Sequence, residues 1–158
     1  MGTFSKSLAS LGGFAASDKR TIDYLKHRSR SLIFSASISP ANTAAVLAAL
    51  KIMKREPERI ARLWHNTKLM KDGLDERGFN TGKCQTPILP ILVGTMDTCF
   101  RMCKGLEQEG VFVNPVVAPA VGPNDALIRI SLMATHTEDQ IALALGKIEK
   151  VGRELGVI

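Results

Sequence analysis

Long apolar runs are missing from this sequence. Stretches such as Ile88 to Val93, itself broken by Pro90, fall far short of the ~20 residues that a membrane-spanning helix needs. No secretory leader is expected either, since Met1 runs straight into Gly2-Thr3-Phe4-Ser5-Lys6. Cysteine is scarce. Cys84, Cys99 and Cys103 make an odd number, which fits a reduced protein better than a disulfide framework. The expectation is a cytoplasmic chain with no transmembrane segment. Aromatic residues are few, 5% in all with one Trp and one Tyr. The densest basic patch, Lys19-Arg20 and Lys26-His27-Arg28-Ser29-Arg30, contains only Tyr24 as a stacking group, and Asp18 and Asp23 dilute it. Nucleic-acid binders pair such patches with stacking aromatics or a recognisable motif. This patch therefore reads as a solvated face, and no nucleic-acid partner is expected. Internal repeats and low-complexity segments are absent as well.

What is present is one domain's worth of chain: 158 residues, 45% hydrophobic and 23% charged, a composition typical of soluble globular proteins. Twenty-one basic residues against 15 acidic ones give a net charge of +6. Such a surface attracts anions in general, phosphorylated cofactors and coenzyme A among them.

The front of the chain, residues 1–17, is rich in Gly, Ser and Ala. Phe14-Ala15-Ala16 reads as a short strand. Ser17 or Asp18 can cap a helix reaching about His27, with Ile22 and Leu25 inward. Ser31 to Ala36 reads as a buried strand. Ser39 as N-cap and Pro40 at the first helical position start a helix to about Arg55. Alanine on nearly every side of that helix suggests burial all round. Pro57 opens another helix with Ile60, Leu63, Trp64, Thr67, Met70 and Leu74 on one face, ending at Gly78. Trp64 and the methionines read as core filling. Beyond about residue 80 the pattern becomes strand (Pro87 to Val93), helix (Asp97 to Glu109), strand (Val111 to Val113), strand (Leu127 to Leu132) and a helix opened by the capping-box spacing of Thr137 and Gln140. That order predicts helices on one face of a sheet, an α/β fold.

Three places could carry chemistry. Lys6 stands among Thr3, Ser5, Ser7 and Ser10, with Gly2 before and Gly12-Gly13 after. An amine in that setting suits imine chemistry beside a phosphate held by hydroxyl and N–H donors; the other reading is a flexible, solvated terminus. Arg129 lies inside the apolar strand Leu127 to Leu132. Its planar fork either captures a carboxylate or projects from the wet face of the strand. His136 is either an acid–base group or a helix-entry histidine satisfied by backbone. His27 and His65 read as surface residues without partners. Cys99 and Cys103, four apart, make half a metal site with no second half.

Gly2-Thr3-Phe4-Ser5-Lys6-Ser7-Leu8-Ala9-Ser10-Leu11-Gly12-Gly13 resembles the cofactor-lysine segment of the α-oxoamine synthases. These are fold-type I pyridoxal-phosphate enzymes that join an amino acid to an acyl-CoA with loss of carbon dioxide. The likeness continues through Ile33-Phe34-Ser35-Ala36-Ser37 and Phe112-Val113-Asn114-Pro115-Val116-Val117. It ends on Leu127-Ile128-Arg129-Ile130-Ser131-Leu132-Met133-Ala134-Thr135-His136-Thr137, so it runs the whole chain in order. Within the family the segments are most similar to the bacterial serine palmitoyltransferases, more than to aminooxononanoate synthases or 2-amino-3-ketobutyrate CoA ligases.

The resemblance implies roles by position. Lys6 would hold pyridoxal phosphate covalently and later move the α-proton. Thr3 and Ser5 would hold the cofactor phosphate. Ser35 and Ala36 would reach the phosphate of a neighbouring subunit's cofactor, which implies a homodimer. Arg129 would bind the carboxylate of the amino-acid substrate, serine, ahead of condensation with a long-chain acyl-CoA. Residues 1–56 would be the end of the large cofactor domain and 57–158 the small C-terminal α/β domain. Family members are more than twice as long, so the chain is expected to be an incomplete portion and inactive alone. A second class, a regulatory or small-molecule-binding α/β module without catalysis, fits the strand and helix order too.

Overall fold

Gly2 and Gly13 allow two short strands to meet at the start of the chain in a computed structural model that describes residues 1–158. Strand β1 (Gly2–Thr3) pairs antiparallel with β2 (Gly13–Phe14), Gly2 opposite Phe14 and Thr3 opposite Gly13. A Cβ on Gly13 would stand 2.6 Å from the Gly2 carbonyl oxygen, so no larger residue fits there. Phe4 and Phe14 stack with ring centroids 5.9 Å apart. The expected strand at Phe14 to Ala16 is thus shorter and begins one residue earlier.

Helix α1 (Lys19–Arg28) starts where Asp18 accepts the Thr21 N–H, and its half-buried residues are Ile22 and Leu25. The strand expected over Ser31 to Ala36 does not form. Ser29 caps a single helical turn instead, α2 (Arg30–Ile33), its hydroxyl accepting from the Leu32 N–H at 3.4 Å. A short apolar run does not discriminate helix from strand by itself, and a local cap decided the matter. Helix α3 (Pro40–Arg55) begins on Ser39 with Pro40 in its first turn, as its start signal requires. It is not buried all round: Val46 is its one buried residue. These elements make a first compact unit, Met1–Pro57.

The second unit, Glu58–Ile158, holds the core. Helix α4 (Glu58–Glu76) buries Thr67, Met70 and Leu74 and ends near Gly78, whose φ of +87° belongs to the left-handed region. Its first turns depart from expectation. Trp64 is 47% exposed and Ile60 is exposed as well, so neither fills the core of this unit. The methionines divide: Met70 and Met102 are buried, Met96 and Met133 exposed.

Strand β3 (Ile88–Gly94), helix α5 (Met96–Gln108), strand β4 (Asn114–Val116), strand β5 (Ala126–Ser131) and helix α6 (Glu138–Glu154) complete the unit. The sheet is antiparallel in the order β3-β5-β4. Strand β4 starts three residues later than the expected Val111. The Val111 N–H closes the end of α5 on the Leu106 carbonyl at 2.8 Å, and Phe112 is 82% exposed. The prolines Pro90 and Pro115 sit on the two edge strands, where a missing N–H is tolerated. Alternation decides which face is covered. Leu89, Ile91, Ile128 and Ile130 point into the core with Leu74, Met102, Leu106 and Ile148. Each fully buried aliphatic side chain contributes about 1.5–3 kcal/mol. The opposite face of the sheet carries no helix of this unit's core cluster, and on it lie Arg129 and Ser131.

Candidate functional site

Lys6 sits in the loop that joins β1 to β2. The Phe4 N–H donates to the Gly12 carbonyl at 3.0 Å, the Ser10 N–H to the Phe4 carbonyl at 2.9 Å, and the Ala9 N–H to the Lys6 carbonyl at 3.1 Å. Ala9 adopts a φ of +45° and Gly12 one of +96°, and these close the loop tightly. The Ser10 hydroxyl ties it to the first turn of α3 by donating to the Asn42 carbonyl at 3.2 Å. Thr3, Ser5, Lys6 and Ser7 are exposed on this framework. None of their side chains is engaged: the Lys6 amine has no ion pair, and the three hydroxyls make no hydrogen bond within the chain. Ser35 and Ala36 follow α2 in the same unit, both exposed, Ser35 at a bend, in the irregular segment leading to the Ser39 cap.

Arg129 occupies the central strand β5 on the uncovered face of the sheet, with Pro90 of β3 opposite it on one side and Asn114 of β4 on the other. Its Nη2 donates to the Asn114 Oδ1 at 3.3 Å. No carboxylate neutralises it. Arg77, Arg101 and Arg153, by contrast, each reach an acidic partner. A guanidinium whose sole partner is a neutral amide keeps its charge available for an anion.

His136 is the helix-entry histidine of the sequence reading: its Nδ1 accepts the Met133 N–H at 3.3 Å. The other two histidines are not partnerless. His65 Nε2 lies 2.8 Å from Glu138 Oε1, an ion pair when protonated, and His27 Nδ1 lies 2.7 Å from the Asp23 carbonyl. Sequence separation hid the first, since α4 and α6 meet only in the fold. Burial pushes the Cys103 thiol up to about 11 and raises Cys99 too. Two residues of consequence escaped the sequence reading. Asn114 partners Arg129, and Asn66, fully buried, donates to the carbonyls of Met133 at 3.0 Å and His136 at 2.9 Å. A lone amide on the apolar face of α4 was the available signal for the second.

The chain is 54% identical to a serine palmitoyltransferase of Sphingobacterium spiritivorum over 98% of its own length and 39% of that protein's. It is 42% identical to an 8-amino-7-oxononanoate synthase of Thermosipho melanesiensis over its whole length and 40% of that protein's. Among solved structures, the Sphingomonas wittichii serine palmitoyltransferase superposes with a TM-score of 0.92 at 31% identity, over 99% of this chain and 40% of that one. A serine palmitoyltransferase solved with pyridoxal phosphate matches equally well, at 32% identity. The chain thus spans about 40% of the length of the relatives it matches, and its α/β fold is that of a portion of the fold-type I enzymes. The family model for aminotransferase class I and II matches residues 1–148, and the chain belongs to that family, in its α-oxoamine synthase branch.

Proposed function

We propose that this chain is part of a pyridoxal-phosphate-dependent acyltransferase that condenses serine with a long-chain acyl-CoA. In that reaction the amino acid's α-carbon bonds to the acyl carbon, the α-carboxylate leaves as carbon dioxide and the coenzyme A thiol is released. The observation that carries the proposal is the unengaged Lys6 amine on a loop of unengaged hydroxyls, in a chain 54% identical to a serine palmitoyltransferase. These residues fit the cofactor: an exposed amine free of internal bonds can bind an aldehyde, and the free hydroxyls suit a phosphate. When bound, the cofactor supplies an electron sink for negative charge developing at the α-carbon.

Each residue then has a task. The Lys6 Nζ anchors the cofactor and afterwards carries the proton to and from the substrate α-carbon. The Thr3 and Ser5 hydroxyls hold the phosphate. Ser35 and Ala36 reach the phosphate belonging to a second copy, so the working form is a homodimer in the cytoplasm. Arg129 holds the substrate carboxylate through its fork. Residues 1–56 serve as the end of a cofactor-binding domain and 57–158 as a small C-terminal domain.

The test uses the protein extended to the length of its relatives, loaded with pyridoxal phosphate. Borohydride reduction followed by peptide mapping is expected to place the adduct on Lys6, and Lys6→Ala to abolish release of coenzyme A from palmitoyl-CoA with L-serine. Adduct scattered over surface lysines would overturn the cofactor assignment. Turnover with glycine but not L-serine would overturn the substrate and leave the family reaction standing.

A further inference from the structure

Arg129 is exposed on the uncovered face of the sheet, and a long side chain there has several rotamers to choose among. One neighbour limits that choice. Asn114 is its register partner on β4, so both side chains leave the same face of the sheet, and the Asn114 Oδ1 accepts the Arg129 Nη2 at 3.3 Å. On the other flank the register partner is Pro90, whose ring offers no hydrogen bond. The guanidinium is therefore drawn to one side, toward β4. Asn114 is half-buried, hence better ordered than the arginine it meets.

We propose that Asn114 is a positioning residue for Arg129: it takes one donor of the guanidinium, sets the direction of the fork, and leaves the remaining donors for a carboxylate. The inference rests on the assignment of Arg129 to the substrate carboxylate. The chemistry of an amide suits the task better than a carboxylate in that place. A neutral acceptor orients the arginine without cancelling its charge, whereas an acid at position 114 would pair with the guanidinium and repel the incoming anion.

Two measurements test this. In the 158-residue chain, the Arg129 Nε–Hε signal is expected to report an ordered side chain by heteronuclear NOE, and a mobile one in Asn114→Ala. In the extended, cofactor-loaded protein, calorimetric titration uses L-serine or glycine, whichever the unaltered protein binds. Asn114→Ala is expected to weaken amino-acid binding about fivefold, the scale of one hydrogen bond to a charged group, with KM for palmitoyl-CoA unchanged. Asn114→Asp is expected to weaken it further. A merely structural asparagine predicts the reverse order, because aspartate is nearly isosteric, and that order would overturn the proposal. In an Arg129→Leu background, replacing Asn114 is expected to change nothing more. If Arg129→Leu itself leaves amino-acid binding intact, the carboxylate assignment falls, and the positioning role with it. If Arg129→Leu abolishes binding while both Asn114 variants are silent, only the positioning role falls.

Discussion

Charge pairing at single residues separates the groups held for structure from those left open. Glu109, at the end of α5, takes Lys147 at 2.5 Å and also Lys150, both from α6. The hydrogen bonds from Lys147 and then Lys150 hold its carboxyl down at about 2, below the ordinary 4.5. The folded state thus binds this proton less readily than the unfolded chain does. The stabilisation is complete above about pH 4.5 and is lost as the pH falls toward about 2. Glu109→Gln is accordingly expected to lower the melting temperature at pH 7, and the gap to the unaltered protein to close between pH 5 and pH 2. Thermal melts across that range decide it, and a constant gap would refute the linkage. Arg129 is the opposite case, a cation with a neutral partner only.

At the scale of elements, caps decide more than propensity. The Thr137 hydroxyl accepts from the Gln140 N–H at 3.2 Å while the Gln140 side chain accepts from the Thr137 N–H at 3.0 Å, the reciprocal box that starts α6. That start was legible in four residues. The approach to it was not. The turn between β5 and α6 is held by Asn66 from α4, which serves two of its carbonyls. Asn66→Ala takes from both carbonyls of that turn the hydrogen-bond partner they have in the fold. The expected loss is about 1–3 kcal/mol, read by urea denaturation, with hydrogen exchange of the first α6 amides rising most. A loss below a few tenths of a kcal/mol would mean that water replaces the amide without penalty.

For the whole molecule, the two units differ in how well they cover themselves. The second has a continuous core running from Met70 to Val151. The first buries only Val46 among its large apolar residues, while Leu32, Ile33, Phe34 and Leu47 stand exposed, Phe34 at 79%. Apolar surface of that extent drives association. Sedimentation at two concentrations is expected to show a dimer or larger species populated more at the higher one. A single monomeric species at both would sink the expectation.

Much of this protein is decided by local sequence. Ser39-Pro40, Thr137 with Gln140, and the glycines at 78 and 110 set the helix limits, because caps and left-handed turns are satisfied within a few residues. Lys6 and Arg129 stood out by residue type against their surroundings, and the segments around them carried the family likeness. Only the tertiary structure decided which apolar residues found cover. Trp64 and the Ala-rich α3 have helical patterns suited to burial, yet burial needs a facing surface that periodicity does not supply. The same holds for pairs distant in sequence. His65 meets Glu138, and Asn114 meets Arg129, because helix packing and strand register brought them together, and no spacing along the chain encodes either contact.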